Sequence, residues 1–262
     1  MQKEIRIFFT ALMFFTRIPC PSWVDHSEEY LNKSSRYFPL MGWIVGGIAA
    51  LVILTANFIV PTSIVVLLSM IASILTTGAF HEDGFADMCD GFGGGWTKER
   101  ILEIMQDSRL GTFGACGLAL ILALKYICLI EIIQHSSSLT AAIALVAAHS
   151  ASRLTAVSFL KTHSYARLDG DSKAKPLATE LQTTDAIVAF VFGILPSVGL
   201  TAFLGWNVLF LILPLVATKW YLGRFFVRWI GGYTGDCLGA TQQVAEVLFY
   251  ATFVAILHVK TL

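Results

Sequence analysis

Along this chain apolar residues neither alternate with polar ones nor recur once per helical turn; they come in unbroken runs. A bilayer core about 30 Å thick takes a helix of roughly 20 such residues. The runs at 38–60, 61–80, 113–133, 138–160, 185–205, 206–222 and 241–258 approach that length. They predict an all-α, polytopic transmembrane helix bundle of about seven spans. Residues 5–18 are apolar too, but about 14 residues is short for a span, and Arg17-Ile18-Pro19 closes the run. An interfacial or re-entrant helix is expected there. Gly42, Gly46, Gly47, Gly193, Pro196 and Pro214 interrupt the runs, as glycines and prolines do in membrane helices that pack closely.

The polar remainder falls into two sets. Connections around Pro61, at 134–138 and at 205–207 are short and hold no Lys or Arg. Lys3, Arg6, Arg17, Lys33 and Arg36 precede the first span; Lys98, Arg100 and Arg109 lie in the second long connection, Lys161, Arg167, Lys173 and Lys175 in the third, and Arg224 and Arg228 in the fourth. The positive-inside rule puts these four segments in the cytoplasm, with Lys260 on the other face. The N-terminus lacks a small-residue cleavage site and is read as retained, so residues 1–262 are taken as a single integral-membrane domain. Composition agrees: 56% hydrophobic, 14% charged, 19 Phe and a mean hydropathy of +0.71 leave no room for a large soluble domain. A net charge of zero argues against nucleic acid as a partner. Cys20, Cys89, Cys116, Cys128 and Cys237 are odd in number and form no CxxC pair, which suggests neither a disulfide framework nor a zinc site.

Against that background HEDGFADMCDGFGG, at 81–94, is costly: it crowds Glu82, Asp83, Asp87 and Asp90 against the end of an apolar run. Asp83, Asp87 and Asp90 are spaced i, i+4, i+7, one face of a helix. Repelling hard-oxygen donors of this kind suit Mg²⁺, Mn²⁺ or Ca²⁺, and Mg²⁺ completes its shell with waters and phosphate oxygens. Gly84 and Gly91 are expected to let backbone approach a bulky ligand. A second segment, DSRLGTFG at 107–114, adds Asp107 and Arg109, whose planar fork matches phosphate. A third, GGYTGDCLGA at 231–240, adds Thr234 as a hydroxyl donor and Asp236. All three fall on the same predicted face and read as one site.

His81 abuts the cluster and is a candidate proton shuttle. Arg153, one turn from His149 near the end of a span, wants an anionic partner, either an Asp or a substrate phosphate. Arg167, Asp169 and Lys173 occupy a polar loop able to close over a substrate. Glu246 sits inside the last apolar run, where it is expected to bond across helices or face the site.

FFTRIPCP, RYFPLMGWIVGG, HEDGFADMCDGFGG, DSRLGTFG and TGDCLGA together resemble the adenosylcobinamide-GDP ribazoletransferase, or cobalamin (5′-phosphate) synthase, family over nearly the whole chain. The family's acidic motif usually carries Leu where this chain has Glu82. The resemblance implies an inner-membrane, Mg²⁺-dependent enzyme with a cytoplasmic site, joining adenosylcobinamide-GDP to α-ribazole or its 5′-phosphate with release of GMP. Besides membrane lipid, its partners would be the soluble nucleotide-loop enzymes. By match to the motifs, Asp83, Asp87 and Asp90 would hold metal beside Glu82. Asp107, Arg109, Asp236 and His81 would serve the chemistry, and Arg153, Arg167, Lys173 and Thr234 the substrate. A CDP-alcohol phosphatidyltransferase would carry an arginine after Ala86, which is absent here. A secondary transporter would place its ionisable residues near the midplane, where this chain has only Lys125, Lys219 and Glu246.

Overall fold

The computed structural model describes residues 2–24, 27–166, 178 and 180–261. Helices α1 (Gln2–Phe15) and α2 (Glu28–Ser34) come first. They are followed by α3 (Phe38–Ala56), α4 (Thr62–Thr77), α5 (Phe80–Gly94), α6 (Lys98–Met105), α7 (Thr112–His135) and α8 (Ser138–Val157). The chain ends with α9 (Phe159–Thr162), α10 (Thr183–Gly199), α11 (Thr201–Leu204), α12 (Ile212–Ile230) and α13 (Gly235–Thr261). Among the described residues no strand forms beyond one isolated bridge between Tyr165 and Tyr233.

All seven apolar runs are helical, but the span count by length and composition is five: Glu29–Ala56, Thr112–His135, Ser138–Thr162, Thr183–Ile230 and Gly235–Val259. It becomes six if α4 and α5, bent by 88°, are taken as one broken span. The expected seven are not reached because α4 has only 16 residues and the runs at 185–205 and 206–222 share one 48-residue stretch. That stretch doubles back. Lys161 Nζ donates to Thr183 at its start, while Lys219 and Gly223 near its end lie against Ser158 and His163; a straight helix of this length would extend about 70 Å. The reversal falls at α11 and the 3₁₀ segment Gly205–Leu211, where Gly205 takes φ +59°.

The bundle centres on α3 and α8. A Cβ at Gly42 would stand 2.5 Å from the carbonyl oxygen of His149, and one at Gly46 2.9 Å from Val146 Cα, so the two backbones touch. Gly193 admits Leu154 in the same way, whereas Gly47 faces open space. Trp43 Nε1 donates to Ser150 Oγ and to the Phe192 carbonyl, tying α3, α8 and α10. Large apolar side chains such as Leu51, Leu75, Leu120, Phe190 and Leu213 point outward, as a lipid-facing surface requires. Helix α1 lays Ile7, Ala11 and Leu12 inward, Ala11 and Leu12 clustering with Met41, and is too short to be among the spans.

Glu246 of α13 does bond across helices. It pairs with Lys125 of α7, lies 3.2 Å from His149 Nδ1 of α8, and accepts from Gln242 and Tyr250, all buried. Removing either member of such a buried ion pair leaves an uncompensated charge, at a cost of about 3–5 kcal/mol. Arg153 belongs to this interior: 1% exposed, it donates to the ring and carbonyl of His149 and lies over the Phe38 ring.

The basic connections meet at one end of the bundle. Arg36 pairs with Asp185 and Glu4, the Arg17 amide donates to the Thr76 carbonyl, and Phe159 packs against Tyr233.

Candidate active site

Helix α5 begins where α4 is stopped by two left-handed residues, Gly78 (φ +68°) and Ala79 (φ +59°). The Arg17 side chain fills the space where a Gly78 Cβ would stand, a cation at a helix C-terminus. The resulting bend swings α5 off the α4 axis and lays its acidic face against α13 and α7. Four glycines inside α5 cost helix propensity, about 1 kcal/mol each, and the neighbours show what they gain. A Cβ at Gly84 would meet Asp236 Cα at 3.0 Å, at Gly91 the Met105 side chain, and at Gly93 the Phe113 ring. Gly239 in turn faces the His81 carbonyl and Gly84 Cα. The glycines that were expected to leave room for a ligand at 84 and 91 are therefore filled by protein: backbone of α13 at one, α6 at the other.

The close contact at Gly84 and Gly239 brings Asp236 beside α5. Asp87 lies in the field of Asp236, Asp83 and Asp90. Asp83, Asp87 and Asp236 form no salt bridge among the described residues, and Thr234 Oγ1 donates to Asp236 at 3.5 Å. No three His, Cys, Asp or Glu groups among those residues are disposed as ligands of one metal ion. The donor set, uncompensated carboxylates from two helices, fits a hard divalent cation. A preassembled coordination shell is absent among the described residues, so exogenous oxygens would have to complete it.

Asp90 has a different employment. Its two oxygens accept the amide protons of Gly111 at 2.7 Å and Gly114 at 2.8 Å, capping α7. A Cβ at either glycine would sit 2.4 Å from that carboxylate, so both must be glycine for the cap to form. This contact joins the first acidic segment to the second. Glu82, a residue away from Asp83 and so about 100° around the helix, turns inward. Its Oε1 accepts from Gln243 Nε2 at 3.0 Å, and its Oε2 is buried without a partner. It does not join the aspartate face.

Asp107 and Arg109 pair with each other in the loop before α7. Arg109 Nε and Nη2 both reach the carboxylate. These bonds hold the Asp107 carboxyl down at about 2. Arg109 is otherwise exposed, free to swing to an anion. Thr234 Oγ1 accepts from the Cys237 amide at 3.3 Å, capping α13, and donates to the Asp236 carboxylate at 3.5 Å. His81 is buried, stacked on Phe38 at 5.6 Å with Phe80 edge-on, and its Nε2 has no partner. Arg153 lies in the interior described above. Arg167, Asp169 and Lys173 lie outside the described residues.

Gln242 and Gln243 escaped sequence reading, although a polar run, Thr241-Gln242-Gln243, inside an apolar helix was a signal. Gly239, facing the His81 carbonyl and Gly84, lies on the close-packed face of α13.

A family model for cobalamin-5-phosphate synthase matches residues 7–254. The chain is 48% identical over 257 residues to the adenosylcobinamide-GDP ribazoletransferase of Shewanella frigidimarina, covering 97% of this chain and 96% of that one. It is 47% identical to the enzyme of that name from Ralstonia pickettii, over 95% of this chain and 94% of the relative. With the Shewanella oneidensis relative it shares 44% identity, over 95% and 93% of the two chains. No solved structure matches. Three motif segments docked through glycine contacts, in a helical chain matched almost end to end, lead to one conclusion: this chain belongs to the cobalamin-5-phosphate synthase family.

Proposed function

We propose that this chain transfers the adenosylcobinamide phosphate group of adenosylcobinamide-GDP to α-ribazole or its 5′-phosphate, releasing GMP. The observation that carries this reading is the meeting of Asp83 and Asp87 with Asp236, three carboxylates from two separate motifs without a described cation among them. In a chain whose relatives are named for this transfer, such a site calls for a divalent cation and a pyrophosphate.

Asp83 and Asp87 would hold Mg²⁺, which when bound would neutralise charge on the pyrophosphate, with Asp236 beside them. The chain's own residues do the rest. A ribose hydroxyl of α-ribazole forms the new P–O bond to the phosphorus on the cobinamide side, the bond to the GMP oxygen breaks, and the hydroxyl proton passes to a base. Asp236 suits that role best of the three candidates, since Asp107 is clamped by Arg109 and His81 is stacked between rings. Arg109 exchanges Asp107 for the departing phosphate. Asp90 and Glu82 keep α7 and α13 in place around α5. The site faces the cytoplasm of a bacterial inner membrane, the side from which nucleotide substrates arrive.

The test is turnover of the full-length protein in lipid nanodiscs with adenosylcobinamide-GDP, α-ribazole and Mg²⁺. GMP and a cobamide form in equal amounts, chelation stops both, and Asp83→Ala lowers turnover roughly 100-fold or more with normal insertion. No GMP from folded protein would overturn the assignment; full activity in Asp83→Ala would overturn the metal site.

A further inference from the structure

Beside the carboxylates lies a cavity of about 190 Å³ that the transfer chemistry leaves unused. Phe14, Phe15, Phe38, Phe80 and His81 line it, and Gly235, the residue before Asp236, forms part of its wall. Its surface is mostly carbon, with Ser35 and Tyr165 also in the lining. Phe15 stacks on Phe38 at 4.3 Å with planes 29° apart and Phe38 on His81 at 5.6 Å with planes 13° apart, so the lining includes a column of stacked rings. No described residue hydrogen-bonds the His81 ring, whose Nε2 is buried without a partner.

Pockets for whole drug-sized ligands run to roughly 300–1,000 Å³; this one takes a fragment. Resting on the transfer reading above, two flat bicyclic fragments are available, guanine and the dimethylbenzimidazole of α-ribazole, whereas a corrin macrocycle is far too large. Guanine carries several donors and acceptors around its edge, which carbon walls would leave unpaired. Dimethylbenzimidazole offers two aromatic faces, a methylated edge and one free ring nitrogen. We propose that this cavity is the subsite for the base of α-ribazole, its faces held by the phenylalanine rings and its free nitrogen met by the His81 imidazole. Phe80 stands one helical turn before Asp83 and Gly235 directly before Asp236, so a base seated here leaves its ribose on the side of Asp83, Asp87 and Asp236. His81 is thereby a substrate-positioning residue.

The full-length protein in nanodiscs provides the test. A Cβ at Gly235 would meet nothing within 4 Å, so Gly235→Val fills the cavity without a clash at its root. It should raise KM for α-ribazole roughly 10-fold or more and leave that for adenosylcobinamide-GDP within about twofold. His81→Phe should raise KM for α-ribazole about threefold to tenfold, yet leave unchanged the KM for a dimethylindole riboside, which lacks the free nitrogen. In wild-type protein, free dimethylbenzimidazole should compete with α-ribazole and not with adenosylcobinamide-GDP. Competition with adenosylcobinamide-GDP, or equal KM shifts for both substrates, would overturn the subsite. Equilibrium dialysis of labelled α-ribazole separates this failure from failure of the transfer reading. Binding by wild type that Gly235→Val abolishes supports the subsite even without GMP release, and no binding, or equal binding, rejects it.

Discussion

One methyl group at position 84 stands between two arrangements of the carboxylates. Gly84 has the Asp236 backbone at 3.0–3.1 Å from where its Cβ would be, so any side chain there pushes the start of α13 away from Asp83 and Asp87. Displacing a reacting group by about 1 Å can cost roughly 100-fold in rate. Gly84→Ala is expected to slow turnover about 10-fold and Gly84→Val about 100-fold or more, with Mg²⁺ titration of the residual rate showing weakened metal affinity. Wild-type rates in either variant would show that the contact does not set the site. Asp107 makes a prediction of opposite sign. Arg109 depresses its carboxyl to about 2, so the pair is intact above the usual carboxylate value and is lost only as pH falls through about 2. Asp107 then contributes no limb to a pH–rate profile between about 5 and 8. Asp107→Asn should leave that profile's shape unchanged; loss of an acidic limb would make Asp107 the base after all.

At the scale of elements, Asp90 is the joint between α5 and α7. Asp90→Ala deprives the Gly111 and Gly114 amides of their acceptor and is expected to lower stability by about 1–2 kcal/mol. Thermal unfolding in nanodiscs without Mg²⁺ measures it, because a metal ligand would show no such loss in the absence of metal. Asp90→Asn, which keeps one acceptor, should fall between. A wild-type melting temperature for Asp90→Ala would reassign Asp90 to the metal. Sequence spacing placed Asp83, Asp87 and Asp90 on one helix face, and they are on one helix. It could not show that the last of the three is spent on another helix's amides, since that depends on where α7 begins in space.

Over the whole molecule, the basic connections and the three motifs share one end of the bundle. On the proposal that this end faces the cytoplasm, Trp96, 83% exposed between α5 and α6, is the position to test. In a variant with its native cysteines replaced, Trp96→Cys should react with a membrane-impermeant maleimide only in inverted vesicles. Labelling in intact cells would reverse the orientation.

Runs of apolar residues were enough to settle that this is a helical membrane protein, because no other backbone satisfies its hydrogen bonds within lipid over that length. The motifs were enough to name the family. Contacts between residues far apart in sequence lay beyond that reading. Gly84 against Asp236, Asp90 on α7, Glu82 on Gln243, Glu246 on Lys125, and the aromatic cavity under His81 all depend on which helix lies beside which. The bend at Gly78-Ala79 and the reversal at Gly205 set those neighbours, and hydropathy, which averages over whole helical turns, is blind to three residues with positive φ. Composition along the chain fixes what each helix is made of; packing decides which of its polar atoms remain for substrate.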